Sequence, residues 1–356
     1  MTVDHAREEL RDVVRAFAVK YSADGRVRED LSGESLDSWS QLAVHMGLAG
    51  IAVEEQFGGA EGSLMDVVVA IEELGRLLIP SPLFAAVALA VPVLQEFGDA
   101  SANERWLGAI SVGELKATVA HHTGDVTAAE STDGWRLNGT VDHVISASTA
   151  DLLLVRARTN EGHQLFGVAA AHDSARLDHL PVLDFTRPMA TVNLRDAPGQ
   201  LVENVATDAA FERALTTATI VLAAEQVGGA QGCLDRAVEH AKTRTQFGRP
   251  IGAFQSIKHI CADLFTEVAC ARTLTYDAAR AGDDDRALSA AMASVVAAEA
   301  FVHAAEQSIQ VHGALGYTWD SDCHLYLRRA RSSSQLLAPP RSHHEMIAEE
   351  LIGSTR

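Results

Sequence analysis

The stretch from Arg244 to Asp263, RTQFGRPIGAFQSIKHICAD, constrains this chain more than any other. An arginine is followed three places later by phenylalanine, then a Gly-Arg-Pro-Ile break, then Phe254-Gln255 opening an apolar run. Ile257, Ile260, Cys261, Leu264, Val268, Ala271 and Leu274 recur at steps of three or four, which predicts a helix with one buried face. Pro250 and Gly252 mark the corner before it, because proline lacks the donor and glycine tolerates any φ. Arg244 offers a planar fork of donors to a diphosphate, and Phe247 a ring to an adenine or ribose. Either residue alone reads as a surface arginine or a core phenylalanine. Their combination in one stretch is unlikely to arise as ordinary helix filler.

At 356 residues the chain has room for two or three domains, and 47% hydrophobic with 22% charged residues is an ordinary globular balance. Forty-eight acids against 29 bases give a net charge of −19, which argues against nucleic acid and against an anionic membrane surface as partners. Any nucleotide must then be held by locally placed arginines and backbone donors. Cys233, Cys261, Cys270 and Cys323 show no CxxC spacing and read as reduced, buried residues of a cytoplasmic protein. The first twenty residues predict a helix with Leu10, Val13, Val14 and Phe17 on one face. No signal peptide and no apolar run of membrane-spanning length is read; Leu83 to Leu94 is broken by Pro92. No membrane insertion is expected.

Taken in order, residues 1–115 read as helices, with a glycine-rich loop from Glu54 before a helix over Met65 to Leu77. Met65, Val68, Val69, Ile71, Leu74 and Leu77 read as core. Residues 116–205 change character: Trp135 to Gly139 reads as a strand entering a turn, and Leu152 to Arg156 and Ala190 to Leu194 as further strands. Helices return over 206–356. Ala223, Val227, Ala230, Leu234, Ala237 and Ala241 line one of them, Ala281 to Asp285 makes a turn, and another runs from about Arg286 to Val311. Small residues at these spacings let four helices pack as a bundle.

The Arg244–Gln255 signature resembles the acyl-CoA dehydrogenase family. So do the loop Val53 to Gly59, similar to a Pro-Glu-x-Tyr-Gly-Gly run, and the segment Gln310-Val-His-Gly-Ala-Leu-Gly-Tyr317. The resemblance covers nearly the whole chain. It implies an α+β fold: an N-terminal helical domain, a central β-barrel-like domain and a C-terminal four-helix bundle. It implies FAD as cofactor, an acyl-CoA thioester as substrate, and an active site shared between two subunits. In such a site the neighbour's ADP-holding pieces correspond here to Arg244, Phe247, Phe254, Gln255, Gln310, Gly313 and Ala314, the last replacing a glycine.

The flavin-ring face departs from the family. The loop Val119 to Asp125 lacks the proline and the Ser-Asp pair of the usual Thr-Glu-Pro-x-Ala-Gly-Ser-Asp run. His143 stands where a tryptophan is usual, and Ile145 where a hydroxyl touches the flavin; isoleucine cannot donate. Leu337 occupies the position of the usual glutamate base, and the alternative site falls at Ala218, beside Thr219. A base must reach the proton it removes, and neither leucine nor alanine can. Glu225, in an otherwise apolar turn, is the nearest relocated candidate, against its reading as a structural glutamate paired to an arginine. The pairs His121-His122 and His343-His344 are not read as metal ligands. The expectation is a subunit of a heteromeric acyl-CoA dehydrogenase resembling those of actinobacterial steroid breakdown, an α2β2 assembly whose homologous partner supplies the base. A homomeric dehydrogenase using Glu225, or a flavin-dependent monooxygenase of the same fold, are the alternatives.

Overall fold

The computed structural model describes residues 3–31, 37–121, 125–203 and 207–353. Helical turns run to Ser111, strands occupy Ala117 to Val202, and helices resume at Thr207, which is the expected α+β order. Contacts group these elements into two compact units. One joins Met1–Arg26, Val68–Ile79 and Thr219–Arg356; the other joins Val27–Val67 and Pro80–Ala218.

The second unit is organised around a small barrel. Among the described residues it has seven strands: β1 (Ala117–Ala120), β2 (Thr127–Ser131), β3 (Gly134–Ile145), β4 (Leu152–Thr159), β5 (Gly162–Ala169), β6 (Ala175–His179) and β7 (Met189–Val202). Pairings β4–β5, β5–β7, β7–β3, β3–β2 and β2–β4 return to their start, so the sheet closes and abolishes most of its edges. Leu152 to Val155 is buried without alternation because β4 has neighbours on both sides and side chains covered on both faces. Leu137, Val141, Leu153, Val155, Phe166, Val168, Val192 and Leu194 fill the interior. Trp135 to Gly139 does not end in a turn: β3 continues to Ile145, and Gly139 takes φ 141° where an added Cβ would lie 2.1 Å from the Asp125 carbonyl. Close approach of two backbones, not chain reversal, is what that glycine serves. Pro92 likewise does not break its segment; a π-turn over Ala85–Ala90 runs into the helix Val91–Phe97 with the proline in its first turn, where no N–H is needed.

The first unit is helical. The helix Asp283–His312 packs against Gln255–Arg280, Cys323–Ser333 and Pro340–Gly353, burying a run of alanines. Its three leading aspartates lie in its first turn and not in a preceding loop, where they favour the positive end of the helix dipole. The window Asp283–Tyr317 is long and apolar enough by composition to cross a membrane, with mean hydropathy 1.5 over 18 residues, contrary to the sequence expectation. Alanine supplies that hydropathy, and half of the window is buried inside the protein. The helix Gln255–Arg280 buries Leu264, Val268 and Ala271 as predicted, whereas Ile257, Ile260, Cys261 and Leu274 are half-covered. Of the cysteines, Cys233 and Cys323 are buried, Cys261 is half-buried and Cys270 is exposed, all four as free thiols. Val13 points to solvent; the buried ridge of the first helix is Val14, Ala18 and Tyr21.

A charged network ties four helices of this unit together. Arg15 grips Glu73 with two hydrogen bonds of 3.0 and 2.8 Å, and Arg11 adds one of 3.3 Å. Arg272 donates to Glu72 at 2.8 Å and to Gln231 at 2.9 Å, while Tyr276 donates to Glu72 at 2.6 Å. Burial alone would raise the Glu73 carboxyl, but its arginines outweigh it and hold it below the usual range. Burial, with Glu72 beside it, pushes Tyr276 up to about 12. A lowered folded-state pKa stabilises above the unfolded value, and that stability is lost as pH falls through the folded one. Glu73→Gln is therefore expected to cost about 3 kcal/mol at neutral pH by leaving its arginines uncompensated, and to flatten the acid limb of the stability curve. Chemical denaturation at several pH values checks this; an unchanged acid limb would remove Glu73 from the account.

Candidate functional site

The long helix Thr207–Thr243 ends at Arg244, whose N–H donates to the His240 carbonyl at 2.8 Å. The chain then doubles back in a two-residue hairpin. Thr245 faces Pro250 and Gln246 faces Arg249, leaving Phe247 and Gly248 at its tip with φ of 51° and 76°. Positive φ at both central residues is the I′ geometry that matches strand twist, and glycine at the second suits it. Phenylalanine at the first costs about 1 kcal/mol. Phe247 is also 91% exposed, so no burial offsets that cost. A strained aromatic ring held in solvent is the kind of local expense found at binding sites. Phe254 meets Phe247 edge-on at 6.1 Å, and the Arg249 guanidinium lies 4.2 Å from the Phe254 ring. Phe254 caps the helix Gln255–Arg280 without a side-chain hydrogen bond, leaving N–H groups at Gln255 and beyond to face an anion. Phe247→Asn is expected to raise stability by up to about 1 kcal/mol, since asparagine accepts positive φ. Thermal unfolding measures it, and a loss instead would show that the ring packs on something.

A second segment reaches the same region. Gln310 is exposed near the end of Asp283–His312, and Gly313 closes that helix with φ 61° and ψ −137°, a combination essentially reserved for glycine. Ala314 follows in a 3₁₀ turn with its methyl in solvent, so replacing a glycine there strains nothing in the turn. The His240 and His312 rings stack at 4.3 Å and 24°, one turn before Arg244 and one residue before Gly313. That stack sets the Arg244 end of one helix beside the Gly313 end of the other; Arg244, Phe247, Gln255, Gln310, Gly313 and Ala314 are exposed and Phe254 is half-buried. Beside the hairpin lies a cavity of about 490 Å³ lined by Val238, Ala241, Ile257 and Cys261, with Lys242 and Lys258 contributing charge. Those lysines and Arg249 were not singled out from sequence. Their placement two residues before Arg244, in the hairpin, and in the first turn after Gln255 was the available signal.

The other expected face is differently equipped. Leu337 is half-buried with φ 67° and carries no group that takes a proton. Ala218 and Thr219 are buried. Glu225 is 8% exposed, and its carboxylate accepts a 3.0 Å hydrogen bond from Arg329, itself 2% exposed. His143 sits exposed at φ 58°, at a register shift between Val141 and Val144 of β3. Ile145 is buried, and its carbonyl accepts a 2.7 Å bond from Thr118. His121 is buried while His122 and the rest of that loop to Gly124 lie outside the described residues; His343 is buried and its neighbour His344 exposed. No group of three or more His, Cys, Asp or Glu is placed to hold a metal ion among the described residues.

Residues 4–114 match the model of the acyl-CoA dehydrogenase N-terminal domain, and residues 208–351 that of its C-terminal domain. The chain is 32% identical over 352 residues to the acyl-CoA dehydrogenase IpdE2 of Mycolicibacterium smegmatis, covering 97% of this chain and 98% of the relative. Among solved structures, a variant of the Tcur3481–Tcur3483 steroid ACAD superposes with a TM-score of 0.89 at 28% identity, covering 99% of each chain. The ChsE4–ChsE5 complex from Mycobacterium tuberculosis gives 0.88 at 27%, covering 99% of this chain and 98% of the other.

Proposed function

Because the chain belongs to the acyl-CoA dehydrogenase family of oxidoreductases, with FAD as its cofactor, we propose that it is the ADP-gripping subunit of a heteromeric dehydrogenase. FAD, when bound, accepts hydride from the β-carbon of an acyl-CoA thioester. The observation that carries the reading is an asymmetry. An exposed, strained Phe247 stands beside Arg244, Arg249 and an open helix end, while Leu337 stands where the family resemblance puts the base and Glu225 is paired with Arg329. In this reading Arg244 forks onto the diphosphate, Phe247 covers the adenosine end, and Phe254, Gln255, Gln310, Gly313 and Ala314 complete the cradle. The partner subunit supplies the proton acceptor, the thioester pocket and the flavin-ring contacts.

The likeness to a steroid ACAD and to a two-protein complex supports a heteromeric assembly; we read it as α2β2, cytoplasmic, and acting on the CoA ester of a steroid side chain. Segments 1–115, 116–205 and 206–356 would be its domains. Arg244→Ala in the purified assembly tests the grip directly. Loss of one bidentate, charge-assisted contact is expected to weaken FAD binding by about 1.5–3 kcal/mol, roughly 10- to 100-fold. Unchanged FAD affinity would overturn the assignment of Arg244.

A further inference from the structure

His240 and His312 belong to neither half of the proposed grip, yet each directly adjoins one. The Arg244 N–H is hydrogen-bonded to the His240 carbonyl, and His312 is the last helical residue before Gly313. His312 is held on three sides. Its Nδ1 lies 2.7 Å from the Ser308 carbonyl, which can only accept, so Nδ1 carries a proton. The remaining nitrogen is left to engage the Cys323 thiol at the start of the helix Cys323–Ser333, whose Sγ is also 3.7 Å from the Ser308 hydroxyl. The ring face covers His240 at 4.3 Å. One imidazole therefore fastens its own helix to Cys323–Ser333 and to the end of Thr207–Thr243.

We propose that the His240–His312 stack is a clasp that sets the spacing between the Arg244 hairpin and the Gly313 turn, making both histidines positioning residues for FAD. This rests on the reading that those two segments hold the ADP half of the cofactor. The groups facing the pair are Arg244 and Arg236 from the Thr207–Thr243 helix and its end, Cys323 from the Cys323–Ser333 helix, and the Ser308 carbonyl. Burial, then the charge of His312, then Arg244 hold His240 below the usual histidine range. Burial opposes protonation of His312 as well, but the Cys323 and Ser308 hydrogen bonds outweigh it and hold His312 above that range. As pH rises, the His240 ring therefore gives up its proton before the His312 ring does. A depressed folded pKa contributes stability above the unfolded value and loses it as pH falls through the folded one, so acid places a second positive charge in the stack. A raised folded pKa does the reverse, so the His312 contribution fades as pH rises through its own folded value.

Two measurements on the full chain and its purified assembly test the clasp. Hydrogen exchange of amides 244–251 and 313–317 reads the spacing without FAD, and flavin fluorescence reads FAD release against pH. Wild type is expected to release FAD faster as pH falls through the depressed folded pKa of His240, which lies below the ordinary histidine value. His240→Ala should speed release about tenfold at neutral pH and loosen both amide segments together. His240→Phe, which keeps a stacking ring that cannot titrate, should restore protection and abolish the acid acceleration. If His240→Ala leaves exchange and release unchanged while Arg244→Ala still loses FAD, the clasp is wrong and the grip stands. If Arg244→Ala retains FAD, the grip is wrong, and the paired loosening of the two amide segments still decides the clasp.

Discussion

Glu225→Gln is expected to cost the chain about 3–5 kcal/mol of stability, because it breaks a buried ion pair. Arg329 is 2% exposed and donates to the Glu225 carboxylate at 3.0 Å from a different helix, so neutralising the acid removes a negative charge that faces this buried guanidinium. A catalytic base would behave otherwise. Its amide variant would fold nearly as well as the parent and lose turnover in the chain alone. The double variant Glu225→Gln with Arg329→Met removes both charges together and should recover most of the loss, since replacing a whole buried pair is often close to neutral. Denaturant unfolding of the two variants separates the roles. A stability change under about 1 kcal/mol in Glu225→Gln, with loss of turnover, would restore Glu225 as the base.

Gly228→Ala should be more damaging than any surface change. A Cβ at Gly228 would lie 1.9 Å from the Glu72 carbonyl oxygen and 2.9 Å from the Arg76 nitrogen, both backbone atoms with nowhere to move. The same crossing is lined by Gly75, whose Cβ would meet the Glu225 carbonyl at 2.4 Å, and Gly232, at 2.2 Å from the Arg76 carbonyl. Separating these helices would also pull Arg76 from Asp235, now 2.7 Å apart, and Arg272 from Glu72. Overpacking of a flexible core costs roughly 1–3 kcal/mol; against rigid backbone the expected loss is above about 3 kcal/mol. Gly353→Ala, which meets nothing within 4 Å, should stay within about 0.5 kcal/mol. Comparable stabilities for the two variants would mean that the crossing relaxes freely.

Much of this architecture is legible in the sequence. The period of apolar residues along Ala223 to Ala241 and Leu264 to Ala271 reports a buried face directly, so the bundle could be read from spacing. Barrel closure could not: β2 meets β4 in parallel only at Thr127 and Arg158, a pairing that no local pattern encodes. The hairpin was visible as a Gly-Arg-Pro break, but the positive φ of Phe247 was hidden because phenylalanine rarely adopts it. Periodicity also overstated the burial of Ile257, Ile260 and Cys261, since it records that residues are apolar and not what covers them. The sequence leaves Glu225 open between base and ion-pair partner, and only the fold brings Arg329, 104 residues away, to its side. The His240–His312 stack escaped for the same reason.

In the proposed assembly this polypeptide keeps the nucleotide-tail contacts and leaves proton removal and ring seating to another chain. Co-expression with a homologous dehydrogenase subunit, followed by counting FAD in the purified complex, tests it most directly. One FAD for every two unlike chains is the predicted result. One FAD per chain in a homodimer of this protein that oxidises acyl-CoA unaided would contradict it.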